Sequence, residues 1–460
     1  MSAHIAPTAG PSHRLAAQAL AVRLEDFGPE VIGKAKLCLI DYLACALEAR
    51  TLPWSRQARA VVATVPSGAG LIGQGVFASP TDAAFVNGVA GHGLVREDMH
   101  AGSIAHLGVV VWPALLACAA RERASGAQLL LAAIVGYEVG ARLGRAIMTA
   151  ELARLFRPTG MVGAPAGALA LARLSGLDAE AARNAFSLGC NTVAGLNQWP
   201  HSGGSEMYFH PGFAARNAVT AHDLARAGAI ASPAIIEGEA GLFAAYARRP
   251  FDGALELFPC GEAELLAVFN KEVPACNFAQ TPCQTALRAL RKAGEGARVE
   301  QVVLFVTQAA ERYPGCNGTG PFANPLQAKM SIYFGVAATL ARGEIAEANY
   351  ARIDDPEIAR LIAATTLHVD PALTAAFPAR QGARTRLTLA DGRVVEDALD
   401  DVLPASPELI RARFMENAEA AWGSEAAQAV AALVERLEDE PDAGRLDALV
   451  ARAAGDGQRN

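Results

Sequence analysis

The segment VREDMHAGSIAHLG, residues 95–108, sets Arg96, Glu97, Asp98, His100 and His106 at the mouth of the apolar run VVVWPALLACAA. Imidazoles exchange protons near neutral pH, and a neighbouring carboxylate can act as a base or orient a histidine. The segment joins a glycine-containing loop to the start of a buried helix, where free backbone amides favour anionic groups. Proton transfer on a carboxylate substrate suits such a place. The plainer reading is that Asp98 caps the helix and both histidines satisfy backbone carbonyls.

Two further segments carry reactive groups. GLNQWPHSGGSEMYFHPGFAARNAVTAHDLARAG runs from a polar, glycine-rich loop into a helix, with His201, Tyr208 and His210 before it and Arg216 a turn inside. Loops on a rigid scaffold are where functional groups concentrate. Arg216 can fork onto a substrate carboxylate or salt-bridge to a neighbouring helix. In FNKEVPACNFAQTPCQTALRAL, Lys271, Cys276 and Gln280 precede another helix. Cys276 becomes a nucleophile only beside a base, and free cysteines are more often inert core residues. Arg157, in LFRPTGMVGAPAG, precedes a small-residue helix and is placed to meet negative charge, whereas Lys329 has a solvated role by default.

The elements that position these groups are mostly helical. VIGKAKLCLIDYLACALEA, AHLGVVVWPALLACAARER, GAQLLLAAIVGYEVGARLGRAIM and APAGALALARLSGL repeat apolar residues at helical spacing and are too apolar for surface helices, so they must pack on one another. Asp178 followed by Glu180 marks a helix start. Gly136, Gly140 and Gly144 recur at every fourth position, a flat stripe for close approach. After about residue 265 the pattern changes. VEQVVLFVT alternates as a strand, ANPLQAKMSIYFGVAATLARGEI reads as an amphipathic helix, and RTRLTLADGRVVEDAL as a hairpin around Asp391 and Gly392. The fold class expected is mainly α: a large all-helical domain over 1–266, a smaller α+β cap domain over 267–404, and C-terminal helices over 405–460 returning to the first, with a frayed tail at GDGQRN.

Composition narrows the function classes. The 460 residues are 52% hydrophobic and 19% charged, enough to bury a large core. Forty Lys and Arg against 47 Asp and Glu, without a basic block, give no footprint for nucleic acid. No apolar stretch is long enough to span a membrane, and the N-terminal run broken by Arg14, Arg23 and Glu25 is not a signal peptide, so a cytoplasmic protein is expected. Eight cysteines do not make a disulfide framework, Cys276 and Cys283 lack the paired short spacings of a zinc site, and no phosphate-binding glycine motif follows a strand.

Taken in order, DAAFVNGVAGHGL with its acidic, histidine-bearing sequel, GYEVGARLGRA, RPTGMVGAPAGALALARLSGLDAEAARNAFSLG, FHPGFAARNAVTAHDLARAG with EGEAGLFAAYA, and QAKMSIYFGVAATLARGEI resemble the MmgE/PrpD family over nearly the whole chain. That family includes dehydratases, decarboxylases and epimerases of small carboxylates. The resemblance implies a helical body capped by an α+β domain, usually in a homodimer. It also implies chemistry without cofactor or metal at the carbon next to a carboxylate, in a cleft between the domains.

The departures are specific. Where the family has Asp-Phe-Asp-Asp after its early histidine, this chain has Val95, Arg96, Glu97 and Asp98 after His92, keeping the last Asp. The family's histidine before Pro-Thr is Arg157, its lysine two residues before Leu-His corresponds to Met207 with His210 retained, and a further histidine appears as Gln280. The histidine of the substrate loop corresponds to His106, or to His100 if the loop is shifted. Arg157 keeps positive charge but is a poor base and a good carboxylate anchor. Proton transfer then falls to His106, His100 or His210, with Asp98 orienting one of them; Arg96, Glu97, Arg157, Met207, Tyr208, Lys271, Cys276 and Gln280 surround the substrate. Three functions fit: a lyase of a small di- or tricarboxylate, an isomerase or epimerase of a similar acid, and a non-catalytic carboxylate-binding relative.

Overall fold

A computed structural model describes residues 10–453; residues 1–9 and the tail GDGQRN lie outside them. The chain is mainly α with an α+β portion towards its C-terminal half. Its centre is the helix Pro158–Ser175, which packs against Gly108–Glu122, Gly126–Ile147, Ala179–Cys190 and His210–Arg226. Small residues permit so many neighbours. A Cβ added at Gly167 would stand 2.7 Å from Ala218, and one at Gly163 would stand 2.9 Å from Val110. Helix starts follow local chemistry: Asp178 accepts the amide of Ala181, and Ser125 with Gln128 forms a reciprocal capping box.

The Gly136, Gly140 and Gly144 stripe is a packing device. Gly136 faces Val111 and Ala170, Gly140 faces Leu107 and Ala166, and Gly144 faces Ser103. The stripe therefore presses the helix Gly126–Ile147 onto the loop that carries His100 and His106. From the other side, Met99 and His100 pair antiparallel with Phe269 and Val268, which draws that loop to the segment leading into Lys271.

The four-stranded sheet runs in the order Thr365–Val369, Val299–Val306, Ala383–Leu389, Val394–Leu399, the first pair parallel and the others antiparallel. The hairpin turns at Gly392, whose φ of 83° is open to glycine. Helix Gln280–Ala293 covers the sheet. Towards the end of the chain, Pro407–Trp422 packs on Pro29–Ala49 and Gly444–Val450 on Gly108–Glu122. Among the described residues no helix is long and apolar enough to cross a membrane.

Two sequence expectations are corrected. The helix expected through ANPLQAKMSIYFGVAATLARGEI breaks into Pro325–Met330 and Ile332–Arg342, because Ser331 is extended and its side chain caps the second piece at the Phe334 amide. Lys329 is not solvated: it is wholly buried, donating to the Leu94 carbonyl at 2.8 Å and pairing with Glu347 at 2.6 Å.

The stripe predicts opposite signs for two glycine substitutions. Gly144→Ala brings a methyl to 2.3 Å from the Ser103 Cβ and is expected to cost about 1–3 kcal/mol. Gly33→Ala, with open space around it on the helix Pro29–Ala49, gains up to about 1 kcal/mol from helix propensity. Urea unfolding of both variants checks the pair, and equal stabilities would contradict it.

Candidate active site

His92 is the last residue of the helix Pro80–His92, and His106 stands two residues before the helix Gly108–Glu122. The chain between them doubles back through Val95 and Ile104, at φ 57° and 55°, values that a β-branched residue adopts only when its surroundings impose them. This brings Glu97 between the two imidazoles. His92 Nδ1 makes a short hydrogen bond to Glu97 Oε1, and His106 Nδ1 lies 2.9 Å from the same oxygen. The His106 Nδ1 also lies 2.9 Å from the Asp98 carbonyl, while its amide donates to the Thr159 hydroxyl at 3.0 Å.

Burial and charge fix the protonation states. Burial pushes the Glu97 carboxyl up, but the attraction and hydrogen bonds of His92 and His106 outweigh this and hold it well below the usual range. Burial pushes both histidines down, His106 to about 3, with Arg157 and Lys271 adding to the effect and Glu97 opposing it. At neutral pH the cluster is one carboxylate between two neutral imidazoles, so each Nδ1 carries the proton donated to Glu97. His106 Nε2 is then a free lone pair. His92 Nε2 accepts from the Arg157 guanidinium at 3.3 Å.

Arg157 precedes the central helix, held by its amide to the Gly195 carbonyl at 2.8 Å, and its side chain is 5% exposed. His210, at the start of His210–Arg226, lies beside it. Burial and the charge of Arg157 push His210 to about 3, and its Nδ1 has no hydrogen-bond partner. Lys271 is fully buried, donates to the Val95 carbonyl, and is pushed down to about 8 by burial, with Glu97 opposing. Neither Arg157 nor Lys271 forms an ion pair within 4 Å among the described residues. Cys276 packs against Cys316, 3.6 Å between sulfurs; that contact draws its thiol down, against burial and with help from Lys271.

Of these groups, His106, Arg157 and Cys276 line a cavity of about 20 Å³, room for one water, together with Met207, Tyr313 and several apolar side chains. His106, Arg157 and Met207 come from the helical part of the chain, Cys276 and Tyr313 from beyond residue 267. His92, Glu97 and His106 offer ligand atoms within 4.8 Å of one another, enough to hold a divalent cation by distance alone. Electrostatics oppose it, since Arg157 occupies the outer nitrogen of His92 and the charge of Lys271 bears on both histidines.

Other residues expected at the site serve elsewhere. The Asp98 carboxyl does not orient a histidine: it accepts the Gly108 amide at 3.2 Å and the Tyr137 hydroxyl, and burial pushes it up to about 7. It caps the helix, and only its main-chain carbonyl reaches His106. His100 is tied to Ser103 at 2.8 Å and to Glu264 at 2.9 Å, within an ion cluster that includes Arg142 and Arg145. Arg96 pairs with Glu48, and Arg216 with Asp82 at 2.8 Å. Tyr208 stacks on Trp54 with ring centroids 3.8 Å apart. Gln280 clamps the loop beneath Cys276, receiving the Val273 amide at 3.0 Å and donating to the Val273 carbonyl at 2.8 Å. His92 and Tyr313 carry weight that residue spacing did not assign. The family resemblance named His92 only as the histidine ahead of residues 95–98, and nothing local distinguishes Tyr313.

A family model described as the MmgE/PrpD N-terminal domain matches residues 13–253, and one described as the MmgE/PrpD C-terminal domain matches residues 273–439. The cis-aconitate decarboxylase of Aspergillus terreus is 32% identical over 55% of this chain and 50% of its own, so the chain spans about half the length of that relative. The cis-aconitate decarboxylase-like protein oryM of Aspergillus oryzae is 26% identical over 92% of this chain and 94% of its own. The 2-methylcitrate dehydratase of Cupriavidus necator is 28% identical over 79% and 80%.

Asp98 makes a pH-dependent prediction. In the folded chain it stays protonated to about pH 7, whereas unfolded it ionises above its ordinary value of 3.8. Between those limits the unfolded chain binds fewer protons, so the contribution of Asp98 to stability falls as pH rises. Asp98→Asn lacks that titration. Its cost relative to the parent should be about 2–3 kcal/mol smaller at pH 8 than at pH 5, the histidine titrations cancelling in the difference. Urea unfolding of both proteins at the two pH values tests this; a pH-independent cost would place the carboxyl in a solvated setting.

Proposed function

The chain belongs to the MmgE/PrpD family, and from that premise we propose that it is a lyase that removes the proton next to a carboxylate of a small carboxylic acid and expels the β-substituent. The observation that carries this reading is the pair of buried cations, Arg157 and Lys271, held without a carboxylate partner beside a neutral imidazole. A buried charge without a partner is costly, and an anionic ligand supplies the missing one.

In this scheme the substrate carboxylate lies against Arg157 and Lys271. The Nε2 of His106 takes the carbon-bound proton, the electron pair moves onto the carboxylate as an enediolate, and the two cations stabilise the growing charge. The His106 imidazolium then gives that proton to the β-hydroxyl, which leaves as water as the enediolate electrons form the carbon–carbon double bond, and neutral His106 is restored. An entering anion also opposes the cations that depress His106, so the base strengthens when substrate binds. Glu97 holds the imidazole in the tautomer this needs and stabilises it once protonated. Side chains alone perform each step. The names of the relatives favour a carboxylate-acting lyase, while Arg157, Met207 and Gln280 keep the reading at the class of reaction.

A second reading is epimerisation. His210, with a free Nδ1 beside Arg157, supplies another imidazole to return the proton. Deuterium entering recovered substrate from deuterium oxide without net product favours it. Binding without exchange supports a non-catalytic relative instead.

The proposal is tested by proton NMR in deuterium oxide with 2-methylcitrate, cis-aconitate, citramalate, malate and aspartate-derived acids. His106→Ala should lose about 10²–10⁴-fold in kcat, Arg157→Gln should act mainly on KM, and His210→Ala should also lower turnover. Full turnover in all three would defeat the assignment. Lys271 must be charged to hold a carboxylate, so kcat/KM should fall as pH rises through about 8, and Lys271→Arg should move that limb upward.

A further inference from the structure

The small cavity beside His106 adjoins a second, much larger space, the two sharing part of their walls. A cleft of about 800 Å³ shares Met99, Ile104, Asn277, Phe278 and Tyr313 with it and runs outward between Ala150–Leu155 on one side and the segments around Gln308–Arg312 and Phe377 on the other. Its walls are chiefly apolar, with Ala153, Phe269, Phe278, Ala309 and Phe377 prominent. An aromatic series leads out from the site: Tyr313 to Phe278 at 5.3 Å between centroids, then Phe278 to Phe377 at 5.8 Å. The charged residues of the cleft are Glu151 and Asp401 against Arg154 and Arg312, two of each sign. Their balance gives no reason for an anionic occupant.

The inner groups set a second limit. Arg157 and Lys271 offer two positive charges and Glu97 already supplies a negative one, so the site matches one or two substrate carboxylates and not a densely anionic acid. Around the small cavity that Arg157 and His106 line, Val95, Ile104, Met207 and Phe278 are apolar as well. A compact polycarboxylate would leave both these side chains and the long cleft facing water.

We infer that the substrate is an alkyl-substituted carboxylic acid, whose acidic head meets Arg157 and Lys271 and whose aliphatic arm lies in the cleft lined by Phe278, Phe377 and Ala153. This rests on the head-group chemistry proposed above and adds the arm. The arm does not react. It contributes binding through apolar area removed from water, and it aligns the head with His106.

Two series of probes separate the two claims. Binding of 2-alkylsuccinates from methyl to octyl is measured by titration calorimetry, and deuterium exchange or water loss is followed for the matching 2-alkylmalates. Kd should fall about threefold to fourfold with each added methylene until the cleft is filled. Ala150→Trp, an exposed position at a helix start in the cleft wall, should lower the ratio of octyl to methyl kcat/KM by tenfold or more. That ratio is internal to each preparation, and the chain-length series on the parent needs no variant. Exchange of short malates with a Kd indifferent to chain length would overturn the arm and leave the lyase reading intact. Chain-length-dependent binding with no exchange in any malate would support the cleft and overturn the lyase reading. A Kd that rises with chain length would overturn the arm outright.

Discussion

A single buried carboxylate, Glu97, fixes the arrangement on which the site depends. It lies on the loop that joins two successive helices, and its Oε1 receives both His92 and His106. Because it remains ionised, the imidazoles need not be, and their protons are directed inward towards it. The outward nitrogen of His106 is thereby available for chemistry at neutral pH. Shifting Glu97 by one residue would change the tautomers, the loop path and the approach to Arg157 together.

The second organising element is an imbalance of charge. Arg157 and Lys271 lie in the interior with a single nearby anion, itself engaged with two histidines. Most other buried charges in the molecule are satisfied locally: Lys329 by Glu347 and a carbonyl, Arg96 by Glu48, Glu264 by His100, Arg142 and Arg145. Against that background the unpaired cations are distinctive. They also add to the burial that lowers the affinity of His92 and His106 for protons.

Much of the fold was legible because helical periodicity, caps and glycine spacing are local properties. The run GYEVGARLGRA announced a close-packed helix, and Gly136, Gly140 and Gly144 each meet a neighbour. The density of titratable groups at 95–108 also marked the loop on which Glu97 and His106 come together. What the sequence could not assign was the direction of each side chain. Asp98 and His100 lie in the same short stretch as Glu97, yet one turns to Tyr137 and the helix start and the other to Glu264, a partner 164 residues away. Tyr313, Cys316 and Lys329 depend likewise on contacts between distant segments, for which local pattern has no signal. The break at Ser331 shows that an unbroken apolar period can still be interrupted by one extended residue.

Val95 and Ile104 occupy left-handed backbone conformations that β-branched side chains resist, at about 1–3 kcal/mol each. Both flank the loop that folds Glu97 between its histidines, and both face the cavity. Such a loop is held in shape by the dense helical body around it and not by its own preferences. The surplus stability of the scaffold therefore sets how far the loop can change over evolution. A family member with a weaker body would have to replace these residues with glycine, exchanging a rigid loop for a more easily folded but looser one.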